Sequence, residues 1–296
     1  MPLQVGTQRR RLLLAQPMES FVAPHSIVRR IWGTSDTVLF IFAGAAAEFA
    51  LNKAVDWLYF TGRLPADPLG RLFSTVDYAR RIVFADRAGA EKAIDTIAAI
   101  HGAVEASRGQ RIPDWAYRDV LYLLIAYSIR AFELLERPLT LAECAEITDV
   151  FCRVGQRMGI PDLPTSYAAW QADRTQHLAH NLELSDCSND LYKQYRKHLG
   201  SPRYALLRGV QGMVCPPTVR QQLGLGSGAW LQPALGFYRA TKQLAVSQWL
   251  KNTMLPTEYA ARIRALDEVP GASLGTAVRP VPRGCPYTRF RAALQR

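Results

Sequence analysis

The chain predicts an all-α protein built as a single large helical domain, and three observations carry that prediction. Apolar residues recur at helical spacing along almost all of its 296 positions. No stretch sustains the period-two alternation of a half-buried strand between turns. Start and stop signals of helices punctuate the chain. With 49% apolar residues, the length suffices to bury a large core.

Taken in order, Ser35 or Asp36 caps a long helix expected to run to about Phe60, where "TGRLPADP" breaks the pattern. Asp67 followed by Pro68 opens a helix to about Phe84, and Asp86 caps the next, which carries His101 and dissolves in "SRGQRIPD". Pro113–Asp114 starts "WAYRDVLYLLIAYSIRAFELLE", apolar on more than one face and therefore central. "TLAE" at 140–143 has capping-box spacing before a helix that ends at Gly159. Further helices are expected at 165–182, 188–199, 202–213, 216–223, 233–250 and 256–267, with "LGLGSGAW" as a flexible connector. The organisation reads as a basic extension (1–24), a helical body (25–225), C-terminal helices packed on it (226–269) and a basic tail (270–296).

The net charge of +11 is concentrated at the ends: residues 1–30 carry +4 and 270–296 carry +5, leaving +2 for the body. That distribution offers no basic, aromatic-interleaved stripe in the middle, so a nucleic-acid partner is not expected. The arginine-rich ends suit a peripheral membrane contact, since Arg9–Arg11 run into "LLLA". Five cysteines without a C-x-x-C pair give neither a zinc site nor a disulfide framework, and no apolar stretch is long enough for a span. A cytoplasmic location is expected. The sequence does not set the oligomeric state.

One histidine attracts chemistry. In "IAAIHGAVEA", His101 lies on the stripe formed by Ala93, Ile94, Ile97, Ile100 and Val104, so it faces protein or a bound group. The preceding helix lines up Arg71, Thr75, Tyr78 and Ile82 at spacings of four, three and four, which can aim a guanidinium, a hydroxyl and a phenol into one pocket. Plainer readings stand beside this one: a core histidine with a partner, a surface arginine, a threonine bonded back to its own helix. Glu48 in "AAAEFAL" reads either as a buried acid of raised pKa or as a boundary carboxylate. Asp173, His177 and His180 have spacing that allows a metal site, but no glutamate-x-x-histidine pair accompanies them. No H-E-x-x-H, G-x-S-x-G, P-loop or dinucleotide fingerprint occurs.

The order of these features resembles the MpaB and latex-clearing rubber oxygenase family. "DPLGRLFSTVDYARRIVFADRAGAEKAIDTIAAIHGAVEA" is similar to its central block, with an arginine and a threonine four apart and a helix ending in I-H-x-x-V. "RPLTLAECAEITDVFCRVGQRMGIPDLPTSYAAW" and "LLRGVQGMVCPPTVRQQLGL" resemble the two blocks that follow, so the likeness covers about residues 25–225. It implies a globin-like helical core holding haem b, with His101 as the iron ligand and Arg71 and Thr75 in the haem pocket; helical spacing adds Tyr78 to the same cofactor-binding face. It implies dioxygen as co-substrate and a hydrophobic, isoprenoid-type substrate. The family's lysine before the threonine is Ser74 here, and its His-Pro pair is replaced by "FAGAAAEF". The catalytic base is therefore open, with Glu48 as the candidate. A non-catalytic haem- or lipid-binding module on the same scaffold is the alternative.

Overall fold

The computed structural model describes residues 19–241 and Leu266. Among them the chain forms α1 (Ile27–Trp32), α2 (Ser35–Leu51), α3 (Val55–Phe60), α4 (Arg63–Ala66), α5 (Pro68–Phe84) and α6 (Arg87–Arg108). There follow α7 (Asp114–Leu135), α8 (Leu141–Arg157), α9 (Tyr167–His180), α10 (Asp186–Val214), α11 (Pro217–Gln222), a 3-10 turn at Ala229–Leu231 and α12 (Gln232–Thr241). Between helices the described backbone pairs only at two isolated bridges, Ser20 with Asp86 and Asn52 with Leu182, so the protein is all-α.

Three of the caps placed by the sequence form as expected, but at α2 the capping position is Thr34, without a side-chain bond, and Ser35 and Asp36 already lie inside the helix. Asp67 accepts from Gly70 N at 2.8 Å and Asp86 from Gly89 N at 2.6 Å, each satisfying an orphan donor of the first turn. Thr140 and Glu143 close a full capping box, and Gly109 ends α6 in the left-handed region.

The expected helix from Ser35 to Phe60 is instead two. Asn52 leaves helical geometry because its side chain serves other groups: Oδ1 accepts from Ala54 N at 2.8 Å and Nδ2 donates to Asp119 at 2.9 Å. Lys53 N and Glu183 N then tie this corner to the end of α9 and the strand-like residues beyond it. The two helices expected at 188–199 and 202–213 are the halves of α10, separated at Gly200 (φ 71°, ψ 165°), a conformation open to glycine. The expected helix at 233–250 is described as far as Thr241, and Leu266 is a buried helical residue; the basic extension before Glu19, the rest of the 256–267 helix and the 270–296 tail lie outside the described residues.

At the centre α2 packs chiefly against α7 and α10. The approach of α2 to α7 depends on Gly44, where an added Cβ would lie 2.2 Å from the Tyr127 ring. Around α2 the core gathers Trp32, Ile41, Ile94, Ile125, Phe132 and Ile147. Gly44→Ala is expected to lower stability by about 1–3 kcal/mol through overpacking, read as a Tm several degrees below wild type.

Candidate functional site

Two polar clusters stand out, and the sequence foresees only one of them. The first lies where α5, α6 and α7 meet. The Asp67 cap and Pro68 fix the start of α5, which puts Arg71 in its first turn and Thr75 one turn on. Arg71 Nη1 donates to Thr75 Oγ1 at 2.8 Å, and the same hydroxyl bonds back to Arg71 O at 3.2 Å. The threonine therefore closes its own helix turn, as the plainer reading of it expects, and also accepts from the guanidinium, which it thereby orients.

Facing Arg71, His101 sits with its ring centroid 5.3 Å from that of Tyr117. Its Nδ1 is buried and has no hydrogen-bond partner. Burial, then the nearby charge of Arg71, lowers the His101 pKa against the opposing pull of Glu105, so the imidazole is neutral near pH 7. Glu105 is pinned by Ile112 N at 2.8 Å and Tyr117 OH at 3.2 Å.

The face around His101 is less enclosed than its apolar stripe suggests. Ile94 is fully buried, but Ile97 and Val104 are half-buried and Ile100 is 45% exposed. One further residue belongs here that the sequence reading passes over. Arg108 lies seven positions after His101, on the same helix face, with its guanidinium 4.0 Å from the Trp57 ring and paired with Asp56. Its Nη1 is buried without a partner, like His101 Nδ1. Tyr78 lies on α5 two turns beyond Arg71, half-buried, with the Arg81 guanidinium 5.9 Å from its ring.

The second cluster is inside the core between α2, α7 and α9. Glu48 is fully buried and receives both Nη1 and Nη2 of Arg174, with Tyr127 OH donating to it at 2.9 Å. His177 lies between Glu48, 3.6 Å from its Nε2, and Asp119, which takes Nδ1. Asp119 also accepts from Asn52 and from Asn181, at 2.9 and 3.0 Å. Burial raises the Glu48 pKa, but Arg174 and His177 outweigh it and hold the carboxyl at about 2. Burial would lower the His177 pKa, yet the carboxylates of Asp119 and Glu48 on either side of the ring raise it overall.

Glu48 is thus neither a boundary carboxylate nor an acid of raised pKa. Ionised, bidentate and far below neutral pKa, it is a weak proton acceptor, and its partners are core residues rather than Arg71, Thr75 or His101. The spacing of Asp173, His177 and His180 does not converge either: Asp173 receives Tyr122 OH at 2.9 Å and the exposed His180 turns to Gln176 O. No group of three His, Cys, Asp or Glu among the described residues is placed to hold a metal ion. The sequence signal for the core cluster was present as Trp170, Arg174 and His177, a buried line at spacings of four and three.

Residues 29–247 match the family model for the ER-bound oxygenase mpaB/B'/rubber oxygenase catalytic domain. No curated protein and no solved structure matches the chain.

Replacing one member of the core pair leaves the other charge buried alone. Arg174→Met is expected to cost about 3–5 kcal/mol at neutral pH, measured by urea unfolding. The pH dependence follows from the depressed Glu48 pKa. Its contribution is complete above the ordinary glutamate value of about 4.3 and is lost as the pH falls towards about 2. The methionine variant is expected to lose that acid limb. His177 acts oppositely: its raised pKa makes its contribution complete below its unfolded value and lost as the pH rises through the folded one.

Proposed function

The chain belongs to the mpaB/rubber oxygenase family, and from that premise we propose that it is a haem b-dependent oxygenase with a globin-like helical core, acting with dioxygen on a hydrophobic, isoprenoid-type substrate. Family membership makes the chain an oxygenase catalytic domain and hence an oxidoreductase. The finer reading rests on one observation above the others: the buried, unpartnered Nδ1 of a neutral His101, on a half-open apolar face across from Arg71.

The residues present fit the group. A buried ring nitrogen without a hydrogen bond loses free energy unless something else engages the ring. An imidazole kept neutral by burial and by a neighbouring cation has its lone pair free for iron. A porphyrin also brings carboxylates, and two cations serve them: Arg71, aimed by the Thr75 hydroxyl, and Arg108, whose buried Nη1 has no partner. Ile97, Ile100 and Val104 supply the apolar wall. Haem b, when bound there, supplies the iron chemistry that activates dioxygen.

What the chain itself contributes is orientation and dryness. Tyr117 braces the imidazole, and Glu105, fixed from two sides, stays committed to Tyr117 and Ile112. Ser74, where the resemblance leads one to expect a lysine, donates to Gly70 O at 2.9 Å and so turns back along its own helix. It has no reach to close off the iron. Glu48 is assigned to the core rather than to proton transfer.

The reading is tested by absorption spectroscopy of the purified protein reconstituted with haem b. A Soret band is expected in wild type and is expected to be lost or shifted in His101→Ala, while Arg108→Met is expected to weaken haem retention with its far-UV dichroism unchanged. A wild type that remains colourless after haem addition overturns the proposal.

A further inference from the structure

No Asp or Glu occurs anywhere in residues 191–257, and the described part of that run, 191–241, carries seven Lys or Arg. The bulk charge hides this, because residues 31–190 hold 21 acidic against 15 basic side chains. The fold gathers part of the acid-free run around one feature. An open cavity of about 640 Å³ is lined by Arg196, Ser201, Tyr204, Arg208, the Gly226–Gly228 loop and Trp230.

Arg208 is built into its wall: Nη2 donates to Gly224 O at 2.7 Å, and the guanidinium lies about 6 Å from the Tyr192 and Tyr204 rings. Arg196 is exposed, next to Lys197 and one turn after Lys193, both exposed as well. The opposite wall continues into an apolar line. Trp230 (63% exposed) and Phe237 (55% exposed) stand seven residues apart, so they share a face of the 3-10 turn and α12 with the exposed Pro233 and Ala234. The other face of the same segment, through Leu231, Leu235 and Tyr238, packs on the core.

We propose that this face docks the protein on an anionic lipid bilayer, with Trp230 and Phe237 entering the interface and the cavity beside Arg196 and Arg208 receiving a lipid phosphate. The chemistry is complementary at each level. Indole and phenyl groups settle at the headgroup boundary, an apolar helix face flanked by cations lies in the interface plane, and basic residues gain from a negative leaflet. A segment free of carboxylates sets no repulsion against it. No helix among the described residues is long and apolar enough to cross a membrane, and the proposed contact is made by side chains on the protein surface. A nucleic-acid strand, by contrast, stacks its bases on aromatics set within the basic groove, whereas Pro233, Ala234 and Phe237 extend the apolar line away from the cations. The inference stands apart from the haem reading and from the basic termini.

The test is co-sedimentation of the full chain with vesicles of phosphatidylcholine alone and of phosphatidylcholine with about 30 mol % phosphatidylserine, at about 0.1 M salt. Wild type is expected on the anionic vesicles, released by added salt, and scarcely on the neutral ones. Arg196→Gln with Lys197→Gln is expected to lower the partition coefficient roughly tenfold or more, and Trp230→Ala with Phe237→Ala to lower it in the same direction. Far-UV dichroism and melting check each pair; if the aromatic pair unfolds, the α10 pair decides alone. Absence of wild-type binding overturns the proposal. So does wild-type partitioning of the variants, which assigns binding to the termini. Loss of a single-stranded oligonucleotide in the variants with vesicle binding intact also overturns it.

Discussion

A carboxylate and a guanidinium inside an apolar core can coexist only if each is the other's counter-ion, and the placement of Glu48 against Arg174 governs much of this molecule. Taking either charge out of water costs several kcal/mol, and the cost is offset here by a bidentate bond, the Tyr127 hydroxyl and the imidazole of His177. These partners come from α2, α7 and α9, so the three helices share one register. The arrangement continues through Asp119 to Asn52 and Asn181, which means that the corner ending α2 and the end of α9 are fastened to the same charges. A slip of α2 by one residue would strand Glu48 against hydrocarbon. Specificity of packing, more than bulk stability, is what such a network gives.

That frame leaves the polar groups of α5 and α6, where the proposed haem site lies, on its flank. The His101 face draws its rigidity from the Asp67 and Asp86 caps, the Arg71–Thr75 bond and the tilted contact with the Tyr117 ring. None of these touches the buried quartet directly. A separation of this kind keeps the paired charges in the core and the unpartnered nitrogens of His101 and Arg108 on a helix whose apolar side chains are only partly covered.

How much of this could be read from the residues alone depends on the range of the interaction. The caps at Asp67, Asp86 and Thr140 and the break at Gly200 were legible because the signal and its effect lie within a few positions. Arg71, Thr75 and His101 were legible because helical spacing aligns them before any tertiary contact is known. Asn52 was missed, since its helix-ending role depends on Asp119, 67 positions away. Glu48 was seen as unusual but given the wrong environment, because its partner Arg174 is 126 positions distant and spacing on one helix cannot report it. The acid-free run after Asp190 is plain in the sequence, yet averaging charge over the body cancels it; the cavity is what brings two of its cations, Arg196 and Arg208, together beside Trp230.

The uneven burial along α6 has a dynamic meaning. Its first turns are rooted through Ala90, Ala93 and Ile94, while from Ile97 onward the side chains are only partly covered and the helix ends on Gly109. Helices open most readily where few apolar contacts hold them, so amide protons in the last three turns exchange sooner than those near Ala90. Any group gripping His101 and Arg108 together would pin the loose portion at two points seven residues apart. Under the haem proposal, taking up the group would then double as the final folding step of α6.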